Sequence, residues 1–449
     1  MKSLSFPPEI REFAQVFADA GRQCYIVGGA VRDRLIGRPN SDYDAATDAR
    51  PEEVQKLFRR VVPTGIKHGT VTVLWKGKPI ETTTFRRESG YSDGRHPDEV
   101  EYGASLEEDL SRRDFTINAL AFDPIGGQLT DLYSGREDLK AGLIRAVGEP
   151  AERFGEDGLR PLRAVRFAAQ LGFAVEPDTL AAIPGALPAF RKVSPERVRE
   201  ELEKILVSPK PSIALRLMES SGMLEVVLPE LSACRGVDQK GFHIYDVLDH
   251  IYATVDFAEP DRIVRLAALF HDIGKPAKRA VGPDGIATFY RHEELSADMA
   301  AVIMKRLRYP NADIDEVCHL VACHMLHYTS DWSDAAVRRF IARTGEENLE
   351  RLFALHIADA SGVIGKRVPP DYLDELEGRV QKVLSERRAL SVKDLAVNGN
   401  DLAAIGIPRG PAMGRILNEL LETVLDDPAE NEKGKLITIA SNIRTKYGL

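Results

Sequence analysis

The sequence predicts an α+β fold, a mixed sheet with helices at the N-terminal end followed by a long all-α body. Three observations carry this. Residues from about 22 to 85 alternate short β-rich runs with helical ones. From about residue 150 onward the strand pattern fades and a helical period of apolar residues dominates. The chain has 449 residues, 43% of them hydrophobic, enough for several packed domains.

The head begins with the apolar run Cys24-Tyr25-Ile26-Val27, a short buried strand closed by Gly28-Gly29. Residues 30–36 read as helical, so the glycines lie where a strand becomes a helix. Backbone amides and the positive end of a helix favour phosphate there. Asp42 and Asp44 follow. Residues i and i+2 of a strand point to the same side, so these carboxylates can converge on one or two hard cations such as Mg²⁺. Together the parts suit a site that holds metal-bound phosphates for transfer. They also suit a plain strand, turn and helix followed by an acidic loop.

Residues 69–75 (GTVTVLW) and 79–85 (PIETTTF) read as two strands joined by a hairpin around Lys76-Gly77-Lys78. Glu81 is either a third carboxylate or a salt-bridged strand residue. Residues 86–104 are polar and turn-rich and read as a mobile loop. In RRDFTINALAF (112–122), Phe115, Ile117, Leu120 and Phe122 pack, leaving Arg113, Asp114 and Asn118 as polar candidates. An N-capped amphipathic helix with solvated arginines is the plainer alternative. In GEDGLRPLRAVRFAAQLGF (155–173), Asp157 and Arg160 stand at i and i+3, hence on one helix face. Alone they could be a surface ion pair worth under about 1 kcal/mol.

Taken together, the GG-to-DYD run and these two segments resemble, in order and spacing, the class II tRNA nucleotidyltransferases and their poly(A) polymerase relatives. Those belong to the polymerase-β-like nucleotidyltransferase superfamily. The resemblance extends over nearly the whole chain and implies a head of that fold. It implies that Asp42 and Asp44 hold two Mg²⁺ ions, one activating an RNA 3′-hydroxyl and one steadying the triphosphate. Gly28, Gly29 and Arg32 would bind nucleotide, with Asp33 capping or bracing the helix. Arg113, Asp114 and Asn118 would contact sugar and phosphate and select ribose. Asp157 and Arg160 would read the Watson–Crick edge of CTP or ATP, an acceptor for the exocyclic amine beside a donor for the ring nitrogen. UTP and GTP present the reverse order. Arg163 and Arg166 would meet triphosphate or RNA phosphate, or simply be solvated. Asp93, Arg95 and His96-Pro97 resemble the loop of members that add the final A.

In the body, HIYDVLDHI, LAALFHDIGKPAK and LHIADASG resemble the HD metal-dependent phosphohydrolase domain. The resemblance makes His250, His271, Asp272 and Asp359 ligands of a transition metal, on a helix ending at Gly274 for the central pair. His292 and His324 resemble the extra histidines of two-metal HD sites. Imidazole suits Ni, Co, Mn or Zn better than Mg. An inert helical RNA-binding scaffold is the alternative. Cys318 and Cys323 lie about 140° apart on a helix, a poor spacing for shared zinc. Gly406, Gly410 and Gly414 with Arg409 and Arg415 form a glycine-punctuated turn that could touch RNA phosphates or only pack.

Composition limits the other classes. The net charge of −9 argues mildly against a general nucleic-acid binder without excluding a local basic surface. No run approaches the roughly 20 apolar residues of a membrane span. The first residues lack the apolar core of a secretory signal, and four scattered cysteines fit a reduced cytoplasm. Joints are expected near Gly148-Glu149-Pro150, Cys234-Arg235-Gly236 and Val368-Pro369-Pro370. They delimit a nucleotidyltransferase head (1–148), a nucleotide-selecting neck (149–235), an HD domain (236–368) and a helical tail (369–449). The resulting expectation is a template-independent enzyme that builds the 3′-CCA of tRNA from CTP and ATP. The rivals are A-only addition, poly(A) synthesis and an HD phosphohydrolase with a degenerate head. A non-catalytic RNA-binding protein would have lost the carboxylates. The oligomeric state stays open.

Overall fold

The computed structural model describes residues 4–40, 42–66, 69–89, 99–239, 244–283, 286–386 and 389–447. The chain divides into two compact units. One is Met1–Ser232 with Arg306–Arg308, the other Ala233–Lys305 with Tyr309–Leu449. No described helix is long and apolar enough to cross a membrane.

The first unit opens with α1 (Pro8–Asp19), β1 (Cys24–Val27), α2 (Gly29–Leu35), β2 (Tyr43–Thr47) and α3 (Pro51–Leu57). Then come β3 (Val61–Gly65), β4 (Thr70–Trp75), β5 (Lys78–Thr84), β6 (Arg86–Ser89) and β7 (Glu99–Tyr102). After α4 (Leu106–Ser111), β8 (Leu120–Phe122) and β9 (Leu129–Asp131) complete a seven-stranded sheet of order β3-β4-β5-β2-β1-β8-β9. Only β2 and β5 run parallel; the other neighbours are antiparallel, so the sheet is mixed. The parallel pair is reached by a crossover through α3, β3 and β4, as parallel neighbours require.

The expected hairpin forms: β4 pairs with β5, and Lys76 and Gly77 both take positive φ at its tip. The stretch read as a mobile loop begins and ends as strand, with β6 paired antiparallel to β7. Asp93, Arg95 and His96-Pro97 lie outside the described residues. Phe13 and Phe17 of α1 meet the rings of Phe58 and Trp75, sealing one side of the sheet. Val27, Ala46, Phe85, Leu106, Leu110 and Ala121 form a second apolar cluster.

Helices then take over: α5 (Gly135–Ala141), α6 (Pro150–Glu156), α7 (Arg160–Leu171), α8 (Pro177–Ala181), α9 (Ile183–Phe190) and α10 (Pro195–Leu206). Past residue 150 the described strands are two residues long (Ala174–Val175, Ala280–Val281, Ala287–Thr288), in keeping with the fading strand pattern.

The second unit is helical apart from the short strand pair Ala280–Val281 and Ala287–Thr288. Val247–Phe257, Arg262–Phe270, His292–Arg306, Asn311–Cys323 and Leu349–Ile364 bring its histidines and aspartates together. Its C-terminal helices share a separate core of Leu402, Ile416, Leu420, Val424 and Leu436.

Candidate functional site

Gly28 makes the first site possible. Its φ of 67° is in the left-handed region, and a Cβ there would lie 3.1 Å from Arg113 Nη1 and 3.6 Å from Asp44 Oδ2. The turn therefore lets a carboxylate and a guanidinium close on the backbone. Val27 is the register partner of Asp44, and Asp44 is that of Glu81 in β5, so sheet pairing sets the carboxylate cluster. Asp42 stands just before β2 rather than inside it, its N–H donating to Asn40 Oδ1 at 2.7 Å. Partial desolvation raises the Asp44 carboxyl above its ordinary value; Arg113 pulls it down and Asp42 pushes it up. Desolvation and the charge of Asp44 likewise raise Glu81. Carboxylates that disfavour one another's charge are the donor set a hard divalent cation relieves.

Arg32, buried at 5% exposure, turns inward. It bonds Asp33 at 2.8 Å, donates to Asn118 Oδ1 at 2.7 Å and lies 5.0 Å over the ring of Phe167. Asn118 in turn donates to Asp114 Oδ1 at 3.0 Å, and Arg163 donates to Asp114 Oδ2 at 2.8 Å. Burial opposes charge on Asp114, yet Arg163 and Asn118 hold its carboxyl well below the usual range. Arg113 is anchored by Asp109, 3.4 Å away. The 112–122 segment is not the amphipathic helix of the plainer reading. It is a 3-10 turn, Thr116–Asn118, running into β8, which places Arg113, Asp114 and Asn118 beside the glycine turn.

One expectation fails. Asp157 and Arg160 do not share a helix face, because α6 stops at Glu156 and Asp157 is extended (φ −136°, ψ 109°) before α7 starts at Arg160. Gly158 permits the break, since a Cβ there would come within 2.7 Å of the Ala189 carbonyl oxygen. Asp157 pairs instead with Arg197 of α10. Arg160 is buried, donating to the carbonyls of Arg153 (2.7 Å) and Arg112 (2.9 Å) and pairing with Glu156. Nor is the arginine stripe solvated. Arg166 pairs with buried Glu201 and stacks 3.8 Å over Phe167.

Sequence reasoning missed Arg197, Glu201, Asp109 and Phe167. A signal existed for one of them. Glu201 falls on the apolar stripe of Val198, Leu202 and Ile205, so the helical period alone marks it as a buried charge.

The second unit holds the other cluster. The helix carrying the His-Asp pair ends at Phe270, one turn earlier than expected. His271 caps it and Asp272 lies in the following turn. His250 Nε2 is 3.3 Å from Asp272 Oδ2 and 3.1 Å from Asp359 Oδ1, while His271 Nε2 is 3.2 Å from Asp272 Oδ2. On the opposite oxygen, Asp272 Oδ1 is 3.1 Å from His292 Nε2 and 3.8 Å from His324 Nε2. The Nδ1 atoms of His271, His292 and His324 each meet a backbone carbonyl at 2.7 to 2.8 Å, which aims every Nε2 inward. Gly274 lets the helix His292–Arg306 approach, as a Cβ there would lie 2.8 Å from the His292 carbonyl oxygen. Both Asp272 oxygens and His292 Nε2 are buried without a well-formed hydrogen bond. Two triads emerge, His250-His271-Asp272 and Asp272-His292-His324, with donor atoms within 4.8 Å of one another. Burial pushes His324 down to about 3, keeping it the neutral imidazole that ligates metals. Burial opposes charge on His250, but Asp272 and Asp359 raise it to about 9. Lys275 Nζ adds a contact to Asp272 at 2.6 Å.

Comparison with known proteins bears on the whole chain. Residues 24–145 match the Poly A polymerase head domain, 172–234 the "Probable RNA and SrmB- binding site of polymerase A", and 284–440 tRNA nucleotidyltransferase domain 2. The CCA-adding enzyme of Levilactobacillus brevis is 35% identical over 433 residues, covering 96% of this chain and 97% of its own. That of Enterococcus faecalis is 34% identical, covering 99% of both chains. Among solved structures, the Bacillus stearothermophilus CCA-adding enzyme in complex with CTP superposes with a TM-score of 0.74 at 31% identity, covering 98% of each chain. A Thermotoga maritima CCA-adding enzyme complexed with tRNA shares the fold at 21% identity, with a TM-score of 0.57 over 98% of this chain and 96% of its own.

Proposed function

The chain belongs to the CCA-adding enzyme family, and we propose that it builds or repairs the 3′-terminal CCA of tRNA from CTP and ATP, without a nucleic-acid template, in the cytoplasm. The observation that carries this reading is the closure of Asp44 and Arg113 on the Gly28 turn, with Asp42 and Glu81 beside them. Asp42 and Asp44 would hold Mg²⁺, which when bound acidifies the RNA 3′-hydroxyl and offsets charge on the leaving pyrophosphate. Gly28 and Gly29, lacking side chains, would let the triphosphate approach the backbone beside Arg113 and Arg32. Arg113 donates to phosphate oxygens, and Arg32, Asn118 and Asp114 form one bonded chain that braces the ribose and phosphate contacts. Arg163 fixes the end of that chain, and Arg166 supports α7 through Glu201 and Phe167. Asp157 and Arg160 read the base. The hydroxyl attacks the α-phosphorus and pyrophosphate departs. The helical segments following the head would grip the acceptor end by shape and phosphate contacts.

The test extends three tRNA transcripts ending before CCA, after CC and after CCA, each with Mg²⁺ and CTP, ATP or both. Growth of the bare transcript by C, C and A, followed by a stop, supports the reading. Growth only of the CC-ended transcript, by one A, replaces it with A-only addition, and long A tails replace it with poly(A) synthesis. Full activity in Asp44→Ala would overturn the assigned chemistry.

The twin triads around Asp272 favour a second activity in the other unit. His250, His271, Asp272 and Asp359 would hold one transition metal, and His292 and His324 with Asp272 a second. Such metals acidify water for attack on a phosphomonoester or cyclic phosphodiester. His271→Ala should abolish a Ni²⁺-, Co²⁺- or Mn²⁺-dependent phosphatase activity and leave nucleotide addition intact. No hydrolysis with any of these metals would sink this second reading.

A further inference from the structure

The acceptor proposed to read the base is held from outside the three motifs. Arg197 donates Nη1 to Asp157 Oδ1 at 3.1 Å and Nη2 to Oδ2 at 2.7 Å, a two-pronged pair. The backbone N–H of Leu159 adds a third bond, to Oδ1 at 3.0 Å. A carboxylate offers about four acceptor positions. The three bonds use both positions of Oδ1 and one of Oδ2, so a single acceptor position remains, on Oδ2. Side-chain exposures of 21% for Arg197 and 20% for Asp157 leave the pair partly open to solvent.

Arg197 itself cannot drift. It sits one turn before Glu201 on α10, whose Val198, Leu202 and Ile205 are buried. Glu201, 2% exposed, pairs with Arg166 and accepts from Lys204 at 3.1 Å. The helix is thus pinned to α7 by the residue next in line on the same face.

We propose that Arg197 is a specificity-determining positioning residue for the incoming base. The inference rests on the reading that Asp157 accepts from the base. By occupying both oxygens, Arg197 fixes the plane of the carboxylate, so that the one remaining lone pair points in a set direction and meets a donor only. The exocyclic amines of CTP and ATP supply that donor. UTP and GTP place a carbonyl oxygen there, setting lone pair against lone pair. Without the guanidinium, the Asp157 carboxylate is free to rotate, and its lone pairs no longer meet the base edge in one fixed direction.

The experiment measures kcat/KM for CTP and UTP on a tRNA transcript lacking CCA, using the full chain, for wild type, Arg197→Met, Arg197→Lys and Asp157→Ala. Thermal unfolding of each variant is recorded alongside. Arg197→Met should lower the CTP/UTP ratio by about tenfold or more, the order set by losing one bidentate contact. Arg197→Lys keeps the charge but not the fork, and should fall between the two. Equal losses for CTP and UTP in Arg197→Met, with the ratio lost in Asp157→Ala, would show a merely structural arginine and overturn the proposal alone. An unchanged ratio in Asp157→Ala would overturn the base-reading role of Asp157 and this proposal with it. If the methionine variant does not fold, the lysine variant decides: a lowered ratio supports the proposal and an unchanged one overturns it.

Discussion

Asp44 and Glu81 are aligned partners across the one parallel pair of the sheet, so their carboxylates leave the same side and the charge of Asp44 raises the Glu81 carboxyl. Glu81 is therefore part of the electrostatics of the cluster. Glu81→Gln removes one charge while keeping shape. It should raise the Mg²⁺ concentration for half-maximal nucleotide addition by on the order of 10-fold, as loss of a supporting carboxylate does. A Mg²⁺ titration at saturating CTP checks this, and an unshifted midpoint would make Glu81 a bystander.

Gly28→Ala should fail on two counts. The left-handed conformation (φ 67°) costs a side-chain residue roughly 1–2 kcal/mol, and the new methyl would press on Arg113 Nη1 at 3.1 Å. A lowered Tm with a larger proportional loss in kcat/KM for nucleotide is expected. A variant with wild-type kinetics would mean that the tight turn is irrelevant to the site.

The Asp114–Arg163 pair carries a pH signature. Arg163 and Asn118 depress the Asp114 carboxyl below its unfolded value of about 3.9, so its stabilising contribution is complete above that pH. It is lost as pH falls further, through the folded value. Arg163→Met strands a buried carboxylate and should destabilise by about 3 kcal/mol. Denaturant melts should show the difference between wild type and variant shrinking below pH 4. Asp114→Asn combined with Arg163→Met should recover part of the loss, and strict additivity of the two changes would argue against coupling.

Metal content separates the two triads of the other unit. Wild type loaded with Co²⁺ or Mn²⁺ should bind two ions and unfold at a higher temperature than the chelator-treated protein. His292→Ala with His324→Ala should bind one ion. Asp272→Ala should bind neither, because each of its oxygens faces a different histidine pair. Elemental analysis after gel filtration reads the stoichiometry, and one ion in wild type would rule out the second position.

Much of this molecule was legible locally. The strand of residues 24–27, its glycine pair, the hairpin at Lys76-Gly77 and the helical body follow from apolar periodicity and from residues that alone tolerate positive φ. Residue chemistry also singled out the acidic pair for a hard cation, whereas the histidine-aspartate set was marked by the resemblance of its segments to the HD domain. The spacing of Asp157 and Arg160 misled, because a helical period assumes an unbroken helix and Gly158 packs against the Ala189 carbonyl where the helix stops.

By itself, then, the sequence determined the main elements, though not where every helix breaks or ends, and which residue types could do chemistry. The tertiary structure alone decided their partners: Arg197 for Asp157, Arg163 for Asp114, Glu81 beside Asp44, and opposite oxygens of Asp272 for two histidine pairs. These pairs, Asp272 with its neighbour His271 aside, are separated by 20 to 52 positions in the chain. A local period of 2 or 3.6 residues carries no information at that range. Only packing of the buried faces brings such groups close, and burial then makes each depend on the charge it meets.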